Sequence, residues 1–147
     1  VIVRGAQIAV EKKGRAGVMI DELNKLCWDK INQGLEHNFT AAGGKFKLLY
    51  KGRPHGVSHL MGEQEHDGDP FRNYSQQSMK SGWMISNEPG LYGEFRLRLN
   101  GKTYDEKIGI RIEDNLVMTS HGCMNLSSKI PKTIKQIEKL MASRKEG

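Results

Sequence analysis

Apolar residues recur along this chain with two different periods, and the changes of period mark out its elements. From Val3 to Val10 the apolar positions Val3, Ala6, Ile8, Ala9 and Val10 fit a helix with one buried side, interrupted at Gly14 and Gly17. From Ile20 the stripe Ile20, Leu23, Cys27 and Ile31 follows helical spacing. Asp21 and Glu22 sit in the first turn of that helix, and Gly34 stands where a helix is capped. Residues 35–51 show no clear period, and Gly43-Gly44 marks a loop. Alternation takes over later, predicting strands near 54–62, 83–88, 91–99 and 107–119. Asn100-Gly101 reads as a type I′ hairpin between the last two. A helix is predicted near 131–143, with Pro131 in its first turn and Ile134, Ile137, Leu140 and Met141 as its buried stripe. The fold class is therefore α+β, a curved antiparallel sheet backed by helices.

Period 2 in the last strand also sorts its chemistry. Arg111 and Glu113 fall on one face, Ile110 and Ile112 on the other. Such a strand builds a polar site over a packed sheet. Imidazoles and carboxylates concentrate between Pro54 and Met118, in Pro-His-Gly-Val-Ser-His (54–59), Glu-His-Asp (65–67), Asn-Glu-Pro-Gly-Leu-Tyr (87–92) and Gly-Ile-Arg-Ile-Glu-Asp (109–114). Carboxylates with one imidazole suit manganese, cobalt or zinc, without choosing among them.

Composition narrows the partners. A chain of 147 residues, 37% hydrophobic and 27% charged, is expected to form one domain. No apolar run reaches the roughly 18 residues of a membrane span, and no signal peptide is visible, so no membrane role is expected. The net charge of +6 and a pI near 9.4 raise the question of nucleic acid. The basic residues are scattered and not interleaved with aromatics, which argues against it. Cys27 and Cys123 form no CxxC pattern, and Cys27 belongs to a helical stripe. A buried thiol in a reducing cytoplasm is the expectation.

These motifs, in this order, resemble the aminopeptidase P and prolidase branch of the pita-bread metallopeptidases. The likeness extends to Ile130-Pro131-Lys132-Thr133-Ile134 and Ile137-Glu138-Lys139-Leu140-Met141. It implies a partial pita-bread fold and hydrolysis of the bond between an N-terminal residue and proline. It implies His59, Glu88 and Glu113 as metal ligands, with two divalent ions, manganese foremost, activating a hydroxide in the complete protein. It also implies that His66 contacts substrate and that His55 lines the pocket for proline-containing peptides. Arg111 would orient a carboxylate by bidentate bonding, and Tyr92 would add a hydroxyl.

The chain departs from the family pattern in several places. The family's site uses five side-chain ligands, two of them aspartates on a hairpin upstream of the helices. Here the only aspartates before His55 are Asp21 and Asp29, both within the second predicted helix. Arg15-Ala16-Gly17 stands where a Pro-Gly turn is usual, Glu63-Gln64-Glu65 replaces a more apolar run, and Asn87 replaces an apolar or β-branched residue. The expectation is thus the C-terminal portion of a single pita-bread catalytic domain, in a chain that begins at Val1 without methionine. Its partners would be the missing N-terminal segment or a partner chain, and self-association would follow from uncovered edges. The alternative is a non-catalytic binding module derived from the same fold.

Overall fold

The computed structural model describes residues 1–143. Two helices pack against each other first: α1 (Ile2–Lys13) and α2 (Ile20–Gly34). The α2 stripe is buried as its spacing requires, with Ile20, Leu23, Cys27 and Ile31 fully enclosed. Glu22 turns back to accept the Met19 N–H at 3.2 Å and so closes the first turn. On α1 the buried side is Val3, Ala6, Gln7 and Val10, while Ile8 and Ala9 lie at the margin. A glutamine was not expected in that row.

Gly34 does not cap α2 in the left-handed conformation. Its φ is −63° and the helical path continues into a π-helical turn, Leu35–Thr40. A Cβ on Gly34 would lie 2.8 Å from Ile2 Cγ2, so this glycine serves the close crossing of α1 over α2.

The antiparallel pairing divides into two sheets. One holds β1 (Lys45–Leu48), β4 (Gly90–Leu99) and β5 (Lys102–Arg111) in the order β1-β4-β5. The other holds β2 (Leu60–Met61), β3 (Met84–Asn87), β6 (Asp114–Met118) and β7 (Cys123–Asn125) in the order β2-β3-β6-β7. The expected strand over 107–119 therefore breaks after Arg111 and resumes at Asp114. Pro89 explains the break, because it has no N–H to give the ladder. Register nevertheless carries through: Asn87 opposes Asp114 on one side and Gly90 opposes Arg111 on the other. The chain from Met84 to Met118 is thus one bent ribbon, closed at Asn100-Gly101 with φ of 52° and 77°, the signature of a type I′ turn.

The ribbon's two faces do different work. Ile85, Leu91, Phe95, Leu116 and Met118 face the helices and join the buried core of α1 and α2. The opposite face carries the polar residues. β1 was missed because residues 35–51 lack a period; its pairing with β4 is long-range, and Phe46 stacks on Phe95 at 6.3 Å.

Two expectations need correction. The strand near 54–62 shrinks to Leu60–Met61, since Pro54 and Gly56 keep the preceding turn irregular. The last helix, α3, spans Ile134–Ser143 and starts later than expected, with Pro131 outside it. Thr133 and Gln136 cap it reciprocally: Thr133 Oγ1 accepts the Gln136 N–H at 3.3 Å and Gln136 Oε1 accepts the Thr133 N–H at 3.0 Å. Its apolar stripe is exposed, from 63% at Ile134 to 43% at Ile137. The sequence makes the helix amphipathic, but none of the other described elements covers that side.

Candidate metal centre

The site is built where the ribbon bends. Continuous register puts Glu88 across from Glu113, and the Ile112 N–H donates to the Pro89 carbonyl at 3.4 Å. Glu88 and Glu113 are therefore a pair without its own backbone hydrogen bonds, the kind in which facing side chains come closest. Like charges directly opposite repel. Such a pair calls for a positive partner.

His59 arrives from the irregular turn before β2, and side chains hold that turn where strand pairing does not. Asn24 Oδ1 on α2 accepts the Val57 N–H at 2.8 Å, and Arg72, itself at φ 57°, donates to the Ser58 carbonyl at 3.2 Å. Ser86 Oγ accepts the His59 N–H at 2.9 Å and donates to Glu88 Oε1 at 3.1 Å. The Glu88 N–H donates to the Val57 carbonyl at 2.9 Å. His59 and Glu88 are buried, 3% and 8% exposed, while Glu113 is at the open side.

Ligand atoms of His59, Glu88 and Glu113 all lie within 4.8 Å of one another. His59 Nδ1 is 3.2 Å from the Leu60 carbonyl, which can only accept, so this contact puts the ring proton on Nδ1. In the neutral ring with that tautomer, Nε2 presents a lone pair toward Glu88 Oε1, 3.0 Å away. Two acceptors facing each other are what a divalent cation's ligands look like, and imidazole with two carboxylates is a suitable donor set. The residues present fit a metal ion.

Arg111 reaches the cluster, but its ion pair is with Glu88, Nη1 to Oε2 at 3.4 Å, as a single contact. It reaches a carboxylate as expected, but not in the bidentate manner the resemblance implies. Burial, then the charge of Glu88, holds the Glu113 carboxyl above its ordinary range. Arg111 and His59 oppose the shift, and Glu65 from the acidic run adds to it. The sign follows directly. A raised pKa favours the fold below the ordinary glutamate value of about 4.3, and that contribution is lost as pH rises through the raised value. Cations compete for the same oxygen. Manganese affinity is expected to climb with pH through a midpoint above about 4.3, and Glu113→Gln should flatten that dependence in titrations at several pH values.

His66 lies against His59 with ring centroids 4.1 Å apart and the rings tilted by 39°. His55 lies on the other flank, its Nε2 3.3 Å from the Tyr92 hydroxyl, within an aromatic group that includes Trp28 at 5.8 Å. Tyr92 lies over Gly90 and Gly109, where a Cβ on Gly90 would sit 2.7 Å from Tyr92 Cζ. Gly90→Ala is expected to lift the ring away from His55, abolish their NMR ring contact, and cost about 1–3 kcal/mol in denaturant unfolding. No local pattern points to Asn24, Arg72 or Trp28. Ser86 had a signal: a hydroxyl two residues before Glu88 shares its face of the strand.

The family model for metallopeptidase family M24 matches residues 1–120. The chain belongs to metallopeptidase family M24. It is 37% identical over 87 residues to the Xaa-Pro aminopeptidase of Haemophilus influenzae, covering 59% of this chain and 20% of that protein. With Xaa-Pro aminopeptidase 2 of Streptomyces coelicolor it shares 32% identity over 114 residues, 74% of this chain and 21% of the relative. Aminopeptidase P from Escherichia coli, solved with the inhibitor Pro-Leu, superposes with a TM-score of 0.74 and 25% identity, over 99% of this chain and 34% of that one. The fold of this M24 chain is accordingly pita-bread, and the chain spans about a fifth of these curated relatives and a third of the solved structure.

Proposed function

We propose that this chain supplies the His59, Glu88 and Glu113 side of the metal centre of an Xaa-Pro aminopeptidase, as the C-terminal portion of one pita-bread catalytic domain. The carrying observation is the cross-strand Glu88–Glu113 pair closed by His59 within 4.8 Å. The Xaa-Pro aminopeptidase relatives support the substrate class. A divalent cation held there by His59, Glu88 and Glu113, with manganese as the first candidate and a second ion in the complete site, would polarise a peptide carbonyl and lower the pKa of water. The chain's own residues do the rest. Ser86 and Arg111 hold Glu88 in place from either side. His66, beside His59 at the exposed side of the site, donates to the oxygen on which charge builds. His55, Tyr92 and Trp28 offer an aromatic wall for the proline ring. Further carboxylate ligands come, in this reading, from a segment outside these residues, and peptide substrate from the cytoplasm, where both cysteines stay free. No helix among the described residues is long and apolar enough to cross a membrane.

The test is complementation. The chain alone, with manganese, is expected to leave Xaa-Pro peptides uncut. Adding a segment from an M24 relative that bears the two aspartates should yield metal-dependent release of the N-terminal residue. Cleavage by the purified monomeric chain by itself would overturn the proposal, and a folded, manganese-loaded but inert complex would favour a binding module.

A further inference from the structure

The ribbon positions next to the two candidate carboxylate ligands both carry polar side chains on the helix face, and both are received by α1. Asn87 and Asp114 are cross-strand partners, each one residue from Glu88 or Glu113, and each fully buried. Gln7, also fully buried, donates Nε2 to the Asn87 carbonyl at 3.2 Å, while Asn87 Nδ2 donates to the Gln7 carbonyl at 3.0 Å. The Asn87 carbonyl belongs to the peptide whose N–H is that of Glu88. One turn earlier on α1, Arg4 bonds Gln7 Oε1 and lies 3.6 Å from Asp114 Oδ2. The helix thus grips both strands at one level of the ribbon, directly behind the candidate metal centre.

We propose that α1 is a polar clamp that fixes the separation of Glu88 and Glu113, with Gln7 and Arg4 as positioning residues acting through Asn87 and Asp114. The inference rests on the metal-centre reading. Two carboxylates that repel across a bend without continuous ladder bonds need their backbones held from behind. Buried reciprocal amide bonds do this with more directional precision than an apolar contact, because each has one good geometry. Asn87, an unexpected residue at its position, and Gln7, an unexpected residue in the α1 stripe, account for each other.

Gln7→Met and Asn87→Leu keep side-chain size while each removes one of the reciprocal bonds: Gln7→Met loses the donor to the Asn87 carbonyl, and Asn87→Leu the donor to the Gln7 carbonyl. Gln7→Glu goes further in specificity, since it keeps the acceptor for Arg4 but cannot donate to the Asn87 carbonyl. Manganese binding by the full chain, followed by water-proton relaxation, is expected to weaken about ten-fold in each variant, the magnitude usual for groups that orient ligands. The Gln7→Met/Asn87→Leu double variant, which loses both bonds, should bind more weakly than either single one. Amide exchange gives a second readout that general destabilisation would not reproduce. Protection of the Glu88 and Ile112 N–H groups should fall while that of Phe95, farther along the ribbon, holds. Gln7→Glu with unchanged affinity and unchanged protection at Glu88 and Ile112 would overturn the clamp. Were the unaltered chain to bind no manganese, the metal-centre reading would fail, and the exchange pattern alone would still decide whether α1 fixes the ribbon.

Discussion

Glu88→Ala is expected to reduce divalent-cation affinity more than 100-fold, beyond the roughly 10–100-fold that ligand-orienting groups contribute. Glu88 is the hub of the cluster: His59, Ser86 and Arg111 all contact its carboxylate, and Glu113 faces it across the ribbon. Removing it leaves His59 and Glu113 with no common carboxylate to close the set. Manganese titration by calorimetry measures the loss, and circular dichroism separates it from unfolding. A second effect is specific to this geometry. With the Glu88 charge gone, the Glu113 carboxyl should titrate closer to its ordinary range, since that charge is the second-largest cause of its shift after burial. Retained manganese binding by a folded Glu88→Ala chain would remove the cluster from consideration as a metal centre.

The largest expected effect on stability is at Asp114. It is fully buried on the helix face, accepts the Asn125 side-chain amide at 3.0 Å, and is ion-paired with Lys132 Nζ at 2.8 Å and Arg4 Nη1 at 3.6 Å. The Lys132 side chain is itself only 7% exposed. Asp114→Ala leaves that ammonium group with the Ser127 and Ile130 carbonyls but no counter-charge in a poorly solvated place; losing one member of a buried pair costs about 3–5 kcal/mol. At this chain length the melting temperature should fall by roughly 10 °C. Adding Lys132→Met should recover part of the loss, because the uncompensated charge goes with it, and a thermal double-mutant cycle measures the recovery. A double variant as unstable as the sum of the two single ones would mean the two side chains act independently.

How much could be read from the sequence differs by element, for physical reasons. The α2 stripe and the Asn100-Gly101 turn are local: spacing alone buries Ile20, Leu23, Cys27 and Ile31, and two positive-φ residues make the turn. The polarity of the ribbon was legible too, because alternation at Ile110–Glu113 survives the break. The break itself was not, since the pattern says nothing about a missing N–H on the facing strand at Pro89. β1 depends on pairing with a strand some fifty residues later, which no window over Lys45–Leu48 contains. The exposure of Ile134, Ile137, Leu140 and Met141 shows the limit of periodicity, which marks an apolar side but not what covers it. In the candidate site, the resemblance singled out His59, Glu88 and Glu113, and the structure brings them together. Their supports, Ser86, Asn24 and Gln7, are polar groups whose meaning lies in a distant partner. Cys27 illustrates the bland outcome: burial pushes its thiol up to about 12, so it is packing, not a nucleophile.

The unbroken register through Pro89 has a bearing on how this gene segment can change length. Every residue between Gly90 and Arg111 is counted against a partner, so a single inserted codon in one arm shifts the count by one and turns Glu113 toward the helices. Matched additions, one residue in each arm, lengthen the far tip and leave the acidic pair facing. Loop-tip variants of the Asn100-Gly101 end should therefore retain cation binding when residues are added in balanced pairs, and lose it after an odd insertion that no bulge absorbs. The tip is free to diversify only in even steps.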